Sequence, residues 1–301
     1  MNNKLSRRNV LKNLAGTAAF FTAATALPKG AQAEILKEEL AGMSLNGNIN
    51  HSVCKWCYPK ISLDDLCKAA KEMGMASIEL QGPDEWPTIQ KYGLTCAMPW
   101  GAGKGITQGF NDPKYHDELV ASYESVIPKA ANAGLNQLIC FSGNRNGMSD
   151  EEGMKNCATG LQRLMKTAEK YKVTMSMELL NSKVNHKDYM CDRTPWGVEL
   201  CKKIGSPNFK LLYDIYHMQI DEGDVIQTIK DNNQYIGHYH TAGVPGRHEI
   251  DDTQELFYPA IMRAIAATGF KGHVAQEFIP TGKEMTDKVA ALKKAIKICD
   301  I

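Results

Sequence analysis

The chain has 301 residues, with 35 Lys and Arg against 34 Asp and Glu and a net charge of +1. That balance excludes a general nucleic-acid or anionic-membrane binder, which needs a basic surface. The length suits one large domain, and an α/β barrel of roughly 250 residues is in range.

The first 33 residues read as an export signal. Ser6-Arg7-Arg8-Asn9-Val10-Leu11-Lys12 resembles the twin-arginine motif, with Val10 where that motif usually has Phe. A weakly apolar stretch at 14–27 follows, then the small-x-small sequence Ala31-Gln32-Ala33. Charged, apolar and cleavage regions in this order make a twin-arginine (Tat) signal peptide. The apolar part is too short to span a membrane, and no other stretch is long and apolar enough. Cleavage after Ala33 would leave residues 34–301 as a periplasmic or otherwise exported protein. Loss of Lys4, Arg7, Arg8, Lys12 and Lys29 leaves 30 basic residues against 34 acidic, a net charge of −4.

From residue 50 onward, short β-rich runs alternate with helical patterns. The periodicity predicts strands at 50–54, 76–80, 95–99, 137–141, 174–179, 209–215, 236–241 and 272–277. Helices are expected at 63–73, 85–91, 115–133, 150–171, 195–204, 225–231, 254–268 and 283–299. "SLDD" and "SDEE" place Ser62 and Ser149 as N-caps with acids in the first turn. Glycines in "EMGMASIEL" and "NAGLNQLICF" supply the left-handed residue that ends a helix. Eight strands alternating with eight helices indicate a parallel sheet, and the count matches a (β/α)8 TIM barrel in a single domain at 34–301. No G-x-G-x-x-G follows the first strand, which weakens the alternative of an open dinucleotide-binding sheet.

Nine cysteines (54, 57, 67, 96, 140, 157, 191, 201 and 299) cannot all pair within one chain. Several fall in apolar runs, where a free thiol packs as a small apolar residue. Cys54 and Cys57 form a Cys-x-x-Cys. A redox dithiol of that spacing should open a helix, which lowers the thiol pKa. Here the next helix begins only near Ser62, after Pro59. A structural zinc site would need a second ligand pair, and none stands out. The stretch is therefore expected at the pocket rim, with Trp56 or Lys55 against the substrate.

Barrel enzymes gather their chemistry at the C-terminal ends of the strands. Four successive strands end in ligand-type residues: "MSMELLN" with Glu178, "LLYDIYHMQ" with Asp214 and His217, "IGHYHTAG" with His238 and His240, and "HVAQEFIP" with Glu277. The steps between them are each close to one βα unit, so Glu178, Asp214, His240 and Glu277 should converge. Three carboxylates and one imidazole suit Mn²⁺ or Mg²⁺, with Co²⁺ or Zn²⁺ as competitors. His238, two residues deeper than His240, reads as a satisfied core histidine. Asn144 and Arg145 in "SGNRNG" read as a turn or a substrate contact. Trp100 and Trp196 read as pocket wall or loop packing.

With these residues in place, the chain resembles the xylose isomerase-like TIM barrels, and within them the hydroxypyruvate isomerase and ketose 3-epimerase branch. The closest stretch is "IGHYHTAGVPGRHEI" at 236–250, whose Pro-Gly-Arg-His-Glu ending is similar to that of hydroxypyruvate isomerases. That branch typically has Gln where His240 stands, whereas the epimerases have a metal-binding His there. The resemblance implies a metal-dependent isomerase in which Glu178 and Glu277 bind the ion. They would also move a proton through a cis-enediolate, while Asp214 and His240 complete the metal shell. Substrate contacts are expected from His217, Arg247, Trp56 and His248. Arg247 suits a substrate carboxylate, since guanidinium binds it bidentately. The substrate class is then hydroxypyruvate, a ketose or a sugar acid, and a homo-oligomer is compatible with the family. Other readings are a sugar epimerase, an endonuclease IV-like phosphodiesterase, or an exported sugar-binding protein without turnover. The phosphodiesterase would need further histidines at the early strand ends.

Overall fold

A computed structural model describes residues 43–301. The expected twin-arginine segment and the expected cleavage site after Ala33 lie outside the described residues. Seven parallel strands form one curled sheet in the order β2-β1-β7-β6-β5-β4-β3. They are β1 (Asn50–Cys54), β2 (Ser77–Glu79), β3 (Gln137–Cys140), β4 (Thr174–Glu178), β5 (Phe209–Asp214), β6 (Ile236–Thr241) and β7 (His273–Gln276). Helices between them cover the outside, as an all-parallel sheet requires. The architecture is the expected TIM barrel, and among the described residues no helix is long and apolar enough to cross a membrane.

The eighth expected strand, at 95–99, is not a strand. It makes one isolated bridge, Ser77 to Thr95. The segment nevertheless stands in the eighth position. Ile78 N–H donates to Thr95 O at 3.0 Å, Leu80 N–H to Met98 O at 2.9 Å, and Ile139 N–H to Pro99 O at 3.2 Å. These bonds join β2 to β3 and close the ring. The ladder fails because Ser77 Oγ, not a backbone carbonyl, takes the Ala97 N–H at 2.8 Å. Pro99 also has no N–H to give.

The helices are α1 (Leu63–Glu72), α2 (Trp86–Lys91), α3 (His116–Asn132), α4 (Asp150–Tyr171), α5 (Thr194–Ile204), α6 (Ile215–Asp221), α7 (Val225–Asn232), α8 (Tyr258–Ala267) and α9 (Met285–Cys299). Ser62 and Ser149 cap α1 and α4, accepting from Asp65 N–H at 3.1 Å and Glu152 N–H at 3.2 Å. Two departures from the sequence reading bear on the site. Strand β5 stops at Asp214, and α6, absent from the sequence reading, starts at once. The Asp214 carboxylate caps it, accepting from Tyr216 N–H at 2.8 Å. The helix expected from 254 begins only at Tyr258, because Gln254 turns its side chain onto the backbone of Asp251 and Leu256.

Candidate active site

Strand register sets the site. Asp214 pairs beside His240 in β5 and β6, and Cys54 beside Glu79 in β1 and β2. One donor atom each from Glu178, Asp214, His240 and Glu277 lies within 4.8 Å of the others, and all four residues are buried. His240 Nδ1 is 2.6 Å from Glu277 Oε2 and 3.6 Å from Glu178 Oε1. These oxygens with one imidazole are a donor set that fits a divalent cation. Cation binding needs a neutral Nδ1, so it would release the proton held in the 2.6 Å contact.

The two glutamates sit in unlike surroundings. Glu277 receives Trp56 Nε1–H at 2.7 Å on Oε1, and on Oε2 both His240 and Arg247, the latter at 2.7 Å. Burial pushes its carboxyl up, but His240, Arg247 and the Trp56 hydrogen bond hold it well below the usual range. Burial raises Glu178, which has fewer partners. Burial likewise pushes Asp214 up to about 7, against the opposing pull of Arg247. Three buried carboxylates cannot all stay ionised cheaply without positive charge nearby.

Arg247 supplies part of that charge. It follows β6 in the left-handed conformation, with φ of 61°. Its guanidinium reaches Asp214 Oδ2 at 3.2 Å and lies 5.2 Å from the Trp56 ring centroid and 5.3 Å from that of Tyr216. Its Nη1 is 3.0 Å from His217 Nε2. Asn181 donates its backbone N–H to His217 Nδ1 at 3.1 Å, so both ring nitrogens of His217 face N–H donors. Burial and the Arg247 charge keep His217 neutral, well below the ordinary imidazole range.

A cavity of about 340 Å³ opens above these groups, lined by Glu178, Glu277, Arg247, Trp56 and His186 and by an apolar wall. The wall is Leu80, Trp100, Ile106, Ile139, Phe141 and Leu180. The His186 ring meets that of His217 at a tilt of 59°, with centroids 5.2 Å apart. Of the expected substrate contacts, Trp56 and Arg247 line the cavity and His217 lies beneath Arg247. His248 is exposed instead, its Nδ1–H directed at Ile279 O 3.0 Å away. Arg145 is tied to Asp150 and Asp192, and Trp196 donates to Asp150 O at 3.2 Å. Both therefore hold loops together rather than facing the cavity.

Two groups beneath the site escaped the sequence reading or gained a new meaning. Glu79, at the end of β2, is fully buried, and its Oε2 is 2.8 Å from His238 Nε2 and 3.3 Å from His240 Nε2. Burial pushes its carboxyl up, but the two imidazoles hold it well below the usual range. The signal was an ionisable residue closing the apolar run "SIEL". Glu79 Oε1 and His238 Nδ1 have no partner among the described residues. Cys54 Sγ is 3.9 Å from His240 Nε2. Cys54 and Cys57 are buried free thiols, both raised well above the ordinary thiol range by burial and then by the Glu277 charge. A thiol so protonated is a poor nucleophile.

Fold and site together define an α/β barrel that gathers buried carboxylates and an imidazole at the C-terminal ends of its strands. The description of the family whose pattern matches residues 67–297 is xylose isomerase-like TIM barrel, and the chain belongs to that family. A Xenopus laevis protein with the provisional name hydroxypyruvate isomerase is 31% identical over 265 residues, covering 81% of this chain and 94% of that one. The 2-oxo-tetronate isomerase of Cupriavidus necator is 38% identical over 108 residues. That match spans 36% of this chain and only 41% of the relative. The D-psicose 3-epimerase of Clostridium cellulolyticum H10, solved with D-tagatose, has the same fold. Its TM-score is 0.69 at 16% identity, over 84% of this chain and all of that one.

Proposed function

We propose that the chain is a divalent-metal-dependent isomerase of a small hydroxy-carbonyl compound, of the hydroxypyruvate isomerase kind. The observation that carries this is the convergence of Glu178, Asp214, His240 and Glu277 within 4.8 Å beneath a cavity that also holds Arg247. The names of the relatives support the same reading. A cation held by these four side chains would supply Lewis acidity, polarising the substrate's carbonyl and hydroxyl oxygens.

The protein's own groups account for the remainder. Glu178 ends β4 and Glu277 follows β7, strands separated in the sheet by two others, so their carboxylates approach a bound carbon chain from different directions. One removes the proton from the hydroxyl-bearing carbon, leaving a cis-enediolate and a protonated carboxyl. A glutamate returns a proton to the former carbonyl carbon, and the hydroxyl proton passes to the other oxygen. The Arg247 guanidinium, packed over the buried His217 ring, donates to substrate oxygens, where negative charge develops. A substrate carboxylate would pair with Arg247, which favours hydroxypyruvate or a 2-oxo acid over a neutral ketose.

The second reading is a ketose 3-epimerase, in which the proton returns to the same carbon on the opposite face. The imidazole of His240 among the candidate ligands favours it, since the resemblance puts a histidine there in epimerases. A screen with Mn²⁺ over hydroxypyruvate, 2-oxo-tetronate and ketohexoses, in deuterated water, separates the two. Isomerisation places deuterium on the carbon next to the original C–H, and epimerisation on the same carbon. Absence of exchange in all of them would sink both readings for those compounds. Export through the twin-arginine route is part of the proposal and rests on residues 1–33 alone. Replacing Arg7 and Arg8 by Lys should retain the protein in the cytoplasm on cell fractionation.

A further inference from the structure

We infer that Glu79 is a positioning residue: it grips the His240 ring at Nε2 so that Nδ1 faces Glu178, Asp214 and Glu277. The inference rests on the metal-dependent reading above. Glu79, His238 and His240 are all 0% exposed. Glu79 Oε2 stands 2.8 Å from His238 Nε2 and 3.3 Å from His240 Nε2. An ionised carboxylate can only accept, so each imidazole presents its N–H at Nε2. On neutral His240 this leaves the lone pair on Nδ1, the nitrogen 2.6 Å from Glu277 Oε2. A carboxylate behind an imidazole in this way fixes tautomer and ring orientation and raises the basicity of the ligating nitrogen.

The barrel makes the contact possible. Glu79 ends β2, and β2 and β6 are separated in the sheet by β1 and β7. The side chain therefore crosses the barrel interior to a partner 161 residues away in sequence. His238 stands two residues before His240, on the same face of β6. It gives Glu79 a second donor, and its ring meets that of His240 edge-on at 5.2 Å between centroids.

Glu79, His238 and His240 could themselves be ligands of a second ion, since one donor atom from each lies within 4.8 Å of the others. The geometry favours the hydrogen-bonded arrangement. Oε2 already sits at hydrogen-bond distance from both ring nitrogens. The trio also has no exposed member, whereas Glu178 and Glu277 reach the cavity and give an ion a way in.

The test measures Mn²⁺ affinity and stoichiometry calorimetrically for the wild type and Glu79→Gln, with thermal unfolding alongside. The expected result is one Mn²⁺ per wild-type chain and binding about 10- to 100-fold weaker in the variant. A merely structural role would lower the unfolding temperature and leave the affinity of the folded protein unchanged. The second measurement is the ring ¹⁵N spectrum of wild-type protein loaded with Zn²⁺. It should show His240 metal-bound at Nδ1 and protonated at Nε2, and it decides the matter if Glu79→Gln does not fold. Equal Mn²⁺ affinity in the two proteins would overturn this inference alone, as would a His240 ligated through Nε2. So would two ions per wild-type chain with one lost in the variant, which would make Glu79 a ligand. A wild type that binds neither ion overturns the inference together with the reading beneath it.

Discussion

Strands β4 to β7 end in Glu178, Asp214, His240 and, just past the last strand, Glu277. Strands β1 to β3 and the 95–99 segment instead lead into Trp56, Leu80, Trp100, Ile139 and Phe141, which wall the cavity. One half of the mouth is charged and dense with hydrogen bonds, while the other is apolar and aromatic. Such a pocket orients its ligand: the reacting oxygens must face the charged half, and the rest of the molecule lies across the apolar wall. Trp56 belongs to both halves, since it lines the cavity and its Nε1–H is bonded to Glu277. Glu79 is the exception on the apolar side. It is an acid, but it is buried beneath the cavity and directed across the barrel at the charged half.

The comparison breaks first if the charged half does not carry the chemistry. Glu178→Gln and Glu277→Gln should each lower the rate of substrate C–H exchange by about 10² to 10⁴, the usual range for a lost acid–base group. Activity within tenfold of wild type in either variant would remove that glutamate from the mechanism. The next effect is on stability. A divalent cation at 100 times its Kd should add about 2.7 kcal/mol, raising Tm by roughly 5 to 10 °C, and a chelator should reverse it. An unchanged Tm across Mn²⁺, Mg²⁺, Co²⁺ and Zn²⁺ would say that the four side chains hold no ion. The smallest effect belongs to the apolar half. Trp100→Ala should raise KM about tenfold, the loss of about 1.4 kcal/mol of apolar contact, with kcat within about twofold. A fall in kcat with KM unchanged would mean that the wall also shapes the transition state.

The charged half was legible in the sequence because its signal is local and repeated. Each strand-like run ends on a ligand-type residue, and the runs recur at the spacing of one βα unit. The apolar half gave no such signal, since Leu80, Ile139 and Phe141 look like any core residue in a chain of this composition. Glu79 gave no such signal, because a lone glutamate at a strand end reads as an ordinary charge until its partners across the barrel are seen. Helix α6 escaped because it spans only Ile215–Asp221, too short for its pattern to stand out from a loop. The 95–99 run does have the composition of a strand, but the side chain of Ser77 takes an N–H that a ladder would need.

By itself, then, the amino-acid sequence determined the alternation of strands and helices, the parallel barrel they imply, and the identity of the four converging donors. These follow from periodicities of two and of about three and a half residues, which are properties of neighbours along the chain. Only the tertiary structure decided what each donor faces. It is the closure of the ring that sets Glu79 against His238 and His240 across the interior. Closure also aims Arg247 back over Asp214 and Glu277, and brings Trp56, just past β1, to a carboxylate 221 residues away. Such contacts depend on how staggered strands meet around a barrel, a geometry that no local pattern encodes.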